Sequence, residues 1–152
     1  MTNINTDEYW MSKALSLAQK ASDEDEVPVG AVLVKDGVLV GQGYNQSIKT
    51  SDPSAHAEIL ALRQAGQTLK NYRLVGTALY VTLEPCAMCA MALVHARVEK
   101  IVFATREPRT GAAGSLYQLV QHSGHNHQIE IIEGVLQQQS ADMLKTFFRQ
   151  RR

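Results

Sequence analysis

The chain has 152 residues, and its 15 lysines and arginines balance its 15 aspartates and glutamates, so the formal net charge is zero at pH 7. This length predicts one domain over residues 1–152, and the charge balance excludes a general attraction to nucleic acid while leaving room for a local basic patch. No apolar run reaches membrane-spanning length and the first ten residues lack signal-peptide features, so we expect a cytoplasmic protein with no membrane partner.

The pattern of apolar residues predicts alternating helices and strands. Helical spacing opens the chain at residues 7–21, and Asp36-Gly37 between two β-rich runs predicts a hairpin of strands 29–34 and 38–44. The remaining elements are expected as a loop at 46–53 with helix-capping residues at 52–54, a helix at 56–65, a buried strand at 78–83, a helix ending near 95, a strand at 101–104, a loop at 106–115, a short helix at 116–120, a strand at 129–132 and a final helix from 136. This order predicts an α/β fold of three layers, α/β/α, with a central mixed sheet of about five strands.

Both cysteines lie in a motif that also contains a histidine. The letters HAE at 56–58 are followed by PCAMC at 85–89. The imidazole of His56 and the thiolates of Cys86 and Cys89 are natural zinc ligands, and three protein ligands leave the fourth tetrahedral position for water or substrate. The set therefore indicates a catalytic zinc site, because structural zinc usually has four protein ligands.

Helix starts explain how these side chains can converge. His56 and Glu58 are two residues apart and cannot share a helix flank, but both can reach a metal that lies just off the first turn, since Cα–Cβ bonds tilt toward the N-terminus. Cys86 and Cys89 share a face at the start of a second helix, whose dipole favours thiolate. A redox pair is the alternative interpretation of C-x-x-C, and the nearby HAE argues against it.

Three further features each have two interpretations. Glu84 either supports the metal ligands or the helix start, or takes part in catalysis, and a supporting role is favoured. Asn45 is either a turn residue, its commoner use, or an amide aimed at a substrate. His122, His125 and His127 form either a second metal site or a polar turn, and the turn is favoured because no carboxylate or cysteine lies near them.

Longer sequence blocks carry a resemblance to a known family. They are EVPVGA at 26–31, Asn45, DP at 52–53 with HAE, TLEPC at 82–86, TGAAGS at 110–115 and FFR at 147–149. Over nearly its whole length the chain resembles the zinc-dependent nucleobase deaminases, which share the H-x-E…P-C-x-x-C signature, and within them the tRNA adenosine deaminases of bacteria. Two positions differ from that pattern: Glu107 stands where Asp is usual, and Met91 where Gly is usual.

The resemblance implies one zinc ion per subunit on His56, Cys86 and Cys89, with Glu58 as the catalytic proton shuttle. It also implies that Asn45 contacts the flipped base, against the turn interpretation. Members of this family are homodimers that convert the wobble adenosine of a tRNA anticodon to inosine. The anticodon stem-loop would then meet the loop 106–110 and the last helix, through the substrate-binding residues Arg106, Glu107, Phe148 and Arg149.

Two other functions are compatible with the same motifs. One is a zinc deaminase of a free base such as guanine or cytosine, which would differ only around the substrate. The other is a non-catalytic, zinc-stabilised RNA-binding module, against which the intact Glu58 argues. Local positive charge for RNA is expected from the arginines near residues 106–109 and 149–152, with the acidic stretch 23–26 largely off that surface and Glu26 as the possible exception.

Overall fold

The computed structural model describes residues 6–151, which form five helices and five strands. In chain order they are α1 (Thr6–Asp23), β1 (Gly30–Lys35), β2 (Val38–Tyr44), α2 (Ser47–Thr50), α3 (Ala57–Leu69), β3 (Thr77–Leu83), α4 (Ala87–His95), β4 (Lys100–Thr105), β5 (Glu130–Glu133) and α5 (Gln137–Gln150). Most predicted elements are present, with ends shifted by a few residues. Within the described residues, no helix has the length and apolar character needed to cross a membrane.

The strands form one mixed sheet in the order β2-β1-β3-β4-β5. β1 runs antiparallel to both β2 and β3, whereas β3, β4 and β5 are parallel. Leu83 and Thr105 are register partners at the carboxyl ends of β3 and β4. The residues that follow these two strands therefore leave the sheet side by side.

Helices cover both faces of the sheet, which confirms the predicted three layers. Alternate residues of a strand face opposite sides, and Leu33 and Leu79 are buried in a cluster with α3 and α4, whereas Val32 and Tyr80 pack toward α1. α5 lies on the α1 side, where the Ser140 hydroxyl donates to the Thr82 carbonyl at 2.6 Å. Burying both faces explains why the central strands read as continuous apolar runs.

The hairpin and one glycine place α3 against the edge of the sheet. Asp36 and Gly37 have φ of 51° and 75°, and two positive φ values are what a tight β-hairpin turn of this sequence requires. A Cβ at Gly43 would lie 2.7 Å from the Ala57 carbonyl oxygen, so a larger residue would push the start of α3 away from β2. This close approach brings His56 beside the end of the hairpin.

Two sequence predictions are wrong, one of a loop at residues 46–53 and one of a short helix at residues 116–120. Residues 46–53 contain the one-turn helix α2, because the buried Glu26 carboxylate accepts hydrogen bonds from the Ile48 and Lys49 backbone nitrogens at 3.2 and 2.7 Å. Residues 116–120 are not helical: the chain folds back on residues 112–114, with backbone hydrogen bonds from Gly114 to Tyr117 and from Leu119 to Ala112. In the first case a side chain distant in sequence determines the backbone conformation, and in the second case hydrogen bonds within a turn determine it.

Candidate active site

The three metal-ligating side chains come from two helix starts. His56 is the N-cap residue of α3 and Cys86 is the N-cap residue of α4, both with extended backbone. Cys89 lies one turn into α4 and is fully buried. Pro85 directly precedes the cap of α4, and each helix directs its N-terminus at the same point. This is the convergence that the sequence predicted.

The distances between the ligand atoms fit a zinc ion. Nδ1 of His56 lies 3.5 Å from Sγ of Cys89 and 3.7 Å from Sγ of Cys86. Tetrahedral zinc with its usual Zn–N and Zn–S bond lengths separates a nitrogen from a sulfur by roughly 3.5 Å. Across residues 6–151, this is the one group of three His, Cys, Asp or Glu side chains close enough to hold a metal ion.

The two thiols differ in their affinity for a proton. A hydrogen bond from the Cys89 thiol, assisted by the His56 imidazole, lowers the pKa of Cys86 to about 4. The same contact, together with burial, raises the pKa of Cys89. Because a cysteine binds metal as thiolate, metal binding has to displace the proton that the two contacting sulfurs share.

Glu58 lies in the first turn of α3 and is buried beside the ligands. Burial raises the pKa of its carboxyl to about 7. A carboxyl with a pKa near neutrality can both accept and donate a proton at physiological pH. The side chain therefore has the properties of a proton-transfer group.

Asn45 follows β2 and contacts the start of α3. Its side-chain oxygen accepts a hydrogen bond from the Ala57 backbone nitrogen at 2.9 Å, which leaves the amide NH₂ as its remaining polar group. This bond serves the helix start that the sequence assigned to Asp52 and Ser54. Asp52 instead accepts from the backbone nitrogen and hydroxyl of Ser54, closing the turn before the helix.

A cavity of about 220 Å³ opens onto this group. It equals roughly seven water molecules at the volume water has in the liquid, so it has room for one small organic group. Asn45, His56, Glu58 and Cys86 line it, and the residues that complete its wall are Val27, Val29, Leu83, Glu84 and Thr110. The apolar wall residues were missed by sequence reasoning because an apolar strand end carries no signal that distinguishes a site from the core.

Glu84 is buried, and its carboxylate does not contact a metal ligand in the described chain. It accepts hydrogen bonds from the backbone nitrogens of Glu107, Ala113 and Ser115 at 3.0, 2.9 and 3.0 Å, and a further bond from the Ser115 hydroxyl. The expected support of the metal ligands is therefore not what this side chain provides. Its partners all belong to the loop between β4 and β5.

The predicted RNA-binding residues lie outside the cavity. Glu107 lines a second cavity of about 470 Å³ together with Arg109, Phe148 and Arg151. Phe148 is half exposed, and Arg149 is exposed beside it. Because Thr110 lines the inner cavity and Arg109 the outer one, the loop 107–110 lies between the two.

Two arginines of this surface are already paired with carboxylates. Arg106 donates from Nε and a terminal nitrogen to Glu133 at 2.9 and 2.8 Å. Arg151 donates to Asp25 at 2.6 Å and stacks 3.7 Å above the Phe147 ring. The acidic stretch 23–26 was expected to lie largely off this surface, and one of its members, Asp25, pairs with Arg151 there. Arg152 lies outside the described residues.

The three histidines near residue 125 form a turn, as the sequence favoured. His122 Nδ1 accepts from the Gly124 nitrogen at 2.9 Å, and His127 Nε2 lies 2.7 Å from the Val98 carbonyl oxygen. These interactions use His122 and His127 as hydrogen-bond partners, and the described residues do not bring three ligand atoms together at this turn. Met91, the other unusual position, is half-buried against the main core.

A layered α/β fold with one histidine and two cysteines at two helix starts, and a buried glutamate beside them, defines a zinc-dependent deaminase. The chain belongs to the cytidine and deoxycytidylate deaminase family, because the model of that family's zinc-binding region matches residues 4–105. The resemblance seen in the sequence is thereby confirmed.

The individual relatives to which the chain is similar include tRNA-specific adenosine deaminases. The chain is 48% identical over 147 residues to a tRNA-specific adenosine deaminase of Haemophilus influenzae, with 96% of this chain and 85% of the relative covered. It is 44% identical to a tRNA-specific adenosine deaminase of Bacillus subtilis, with 98% and 92% covered. A solved structure from work on A-to-I editing by tRNA:A34 deaminases superposes with a TM-score of 0.87 at 38% identity, covering 90% of this chain and 99% of that one.

Proposed function

We propose that this protein is a hydrolase that converts adenosine to inosine at the wobble position of a tRNA anticodon. The observation that carries the proposal is the convergence of His56, Cys86 and Cys89 with the buried Glu58 at one small cavity. The tRNA-specific relatives match nearly the whole chain, including the loop and the last helix outside the cavity. The residues of the small cavity carry out the reaction, and the loop and last helix outside it bind the RNA.

His56, Cys86 and Cys89 hold the zinc ion, whose chemistry is to bring the pKa of water toward neutrality. Two thiolates offset the charge of the dication. Glu58 takes a proton from the attacking water and passes it to the adenine ring as oxygen bonds to the ring carbon. Glu58 then takes the second proton from the newly formed hydroxyl group and delivers it to the amino group, which leaves as ammonia, so water and adenosine give inosine and ammonia.

Asn45 orients the base. With its oxygen fixed by Ala57, the amide NH₂ donates to an acceptor on the base edge. Holding the base this way fixes the carbon under attack relative to Glu58, and such positioning is a large part of the rate that a site can provide.

The outer cavity receives the rest of the anticodon loop. Phe148 offers an exposed ring on which a neighbouring base can stack. Arg109 in the cavity wall and the exposed Arg149 offer charge for phosphates. Arg106 offers such charge when released from Glu133. Glu107 accepts a hydrogen bond from the Arg109 nitrogen at 2.9 Å, which shapes the loop at this point. A free base needs none of these residues, so they support an RNA substrate.

We further propose a cytoplasmic homodimer. A tRNA substrate favours the cytoplasm. Exposed large apolar side chains, including Met88 between the two cysteines, support a partner surface close to the site. Analytical ultracentrifugation over a concentration series tests this, and a monomer at micromolar concentration would contradict it.

The experiment that tests the function is nucleoside mass spectrometry of RNA treated with the zinc-loaded protein. An anticodon stem-loop with wobble adenosine should gain one inosine, and the same stem-loop with guanosine at that position should be unchanged. Ammonia release from free adenine, guanine and cytosine is assayed in parallel. Release from a free base without inosine in the RNA would make the protein a free-base deaminase instead.

A further inference from the structure

We infer that Glu84 is a positioning residue that fixes the substrate loop, defined here as residues 106–115, over the zinc cavity. The inference rests on the proposed function, since it names the residue that holds this loop in place for RNA. It assigns a role to a buried carboxylate that the deamination chemistry does not use.

The hydrogen-bonding capacity of Glu84 is filled. An ionised carboxylate has about four acceptor positions, and Glu84 receives three backbone N–H groups and one hydroxyl, all from the substrate loop. No acceptor position is left for a proton in transit or for the base. The side chain lines the cavity, but all four of these hydrogen bonds are made to the loop.

The bonds hold both ends of the loop. Glu107 stands near its start, whereas Ala113 and Ser115 stand near its end. The backbone adds to this: the Glu84 nitrogen donates to the Thr105 carbonyl at 2.9 Å, and the Ala112 nitrogen donates to the Pro85 carbonyl at 2.8 Å. The loop is therefore folded around the segment that leads into Cys86.

Packing inside the loop leaves no space for a side chain at Gly111. A Cβ at Gly111 would lie 2.5 Å from the Glu107 carbonyl oxygen and would overlap the Glu84 carboxyl group. Between the two fixed ends, Thr110 lines the zinc cavity and Arg109 lines the outer cavity. The position of one carboxylate thus sets where the loop presents these residues to RNA.

Amide hydrogen exchange in the zinc-loaded protein without RNA tests the inference. In Glu84→Gln, the amides of Glu107, Ala113 and Ser115 should exchange about 10- to 100-fold faster, the change expected when hydrogen bonds to a charged acceptor are removed. Glu84→Asp, which keeps the charge, should restore part of the protection. Glu26→Gln is the matched control, because it removes another buried carboxylate and should affect Ile48 and Lys49 only.

Kinetics on the anticodon stem-loop provide the second readout. Glu84→Gln should raise KM more than it lowers kcat, with an unchanged zinc content and an unchanged pH profile of kcat. A lower kcat with a shifted pH profile and normal loop exchange would place Glu84 in proton transfer and overturn the inference. Should Glu84→Gln fail to fold, Glu84→Asp takes its place, because the shorter side chain cannot reach all of the loop donors, and normal exchange at Ala113 and Ser115 in that variant overturns the inference as well.

The two proposals can fail separately. A wild-type protein that does not deaminate the stem-loop contradicts the proposed function, whereas the exchange rates still report whether Glu84 fixes the loop. Normal exchange in Glu84→Gln contradicts the inference even when the wild type is fully active.

Discussion

The side-chain oxygen of Asn45 lies 2.9 Å from the backbone nitrogen of Ala57, and this hydrogen bond joins the end of β2 to the start of α3. The N–H group can only be satisfied by an acceptor, so the bond also fixes which way the amide faces. Asn45 thus serves the turn before α3 and also lines the cavity, so the turn interpretation and the proposed contact with the base are compatible.

Asn45→Asp separates these two roles. Aspartate keeps an acceptor for Ala57 but has no NH₂ group, so folding and zinc content should stay near wild type while kcat/KM on the stem-loop falls about 100-fold or more. Asn45→Ala removes both roles and should in addition lower the stability by about 1 kcal/mol at the helix start. Melting curves, zinc analysis and initial rates give the comparison. Wild-type kcat/KM in Asn45→Asp would show that the amide does not contact the base.

Cys86→Ala should abolish stoichiometric zinc binding, since two remaining ligands do not hold the ion tightly. Met88→Ala is the control, because Met88 lies between the two cysteines, is partly exposed and has no ligand role. Elemental analysis of both purified variants is the measurement. Full zinc occupancy in Cys86→Ala would refute the ligand assignment.

Glu58→Gln should keep zinc and the fold but lose deamination, by at least the 10²- to 10⁴-fold typical of general acid–base catalysis. Glutamine matches the shape of the side chain and avoids burying a charge, so the melting temperature should be equal to that of wild type or higher. Single-turnover assays measure the chemical step. Near-normal turnover by this variant would remove Glu58 from the mechanism.

The terminal arginines should bind RNA through local charge. Replacing Arg149, Arg151 and Arg152 together by alanine should weaken stem-loop binding and flatten its salt dependence, by a slope of about 0.7–0.9 for each phosphate that the variant no longer neutralises. Binding is measured by fluorescence anisotropy across a salt series. Zinc content should not change.

A charge control for that variant is Lys70→Ala with Arg73→Ala. Both residues are exposed, and Lys70 caps the far end of α3, about 20 Å along the helix from His56 at the usual rise per residue. This pair should leave the salt slope near wild type. Equal slopes for wild type and the terminal variant would place the RNA path elsewhere on the surface.

The parts of the structure that short-range sequence determines were predicted correctly. The convergence of His56, Cys86 and Cys89 follows from side-chain chemistry and spacing within two helix starts, and the hairpin follows from Asp36 and Gly37, whose φ values are positive as that turn requires. Periodicity predicted the long helices and the buried strands for the same reason, since each pattern is complete within its own segment.

The parts that were wrong or missed depend on distant partners. Glu26 induces α2 from 22 residues away, and the Glu84 carboxylate reaches Ser115 across 31 residues. Asp25 and Arg151 are 126 positions apart. Nothing in a local pattern indicates that such groups will meet, because the sheet order that brings them together is itself a long-range property.

The bidentate pair between Arg106 and Glu133 has to open before a phosphate can bind this guanidinium. A phosphate that takes this guanidinium has to displace a carboxylate of the protein, so the step is an exchange of one anion for another. Such an exchange leaves Glu133 to recover its own solvation and cations, which offsets part of the counterion release that ordinarily drives phosphate binding. A phosphate of the proposed RNA substrate would therefore gain less from Arg106 than from an arginine with no carboxylate partner.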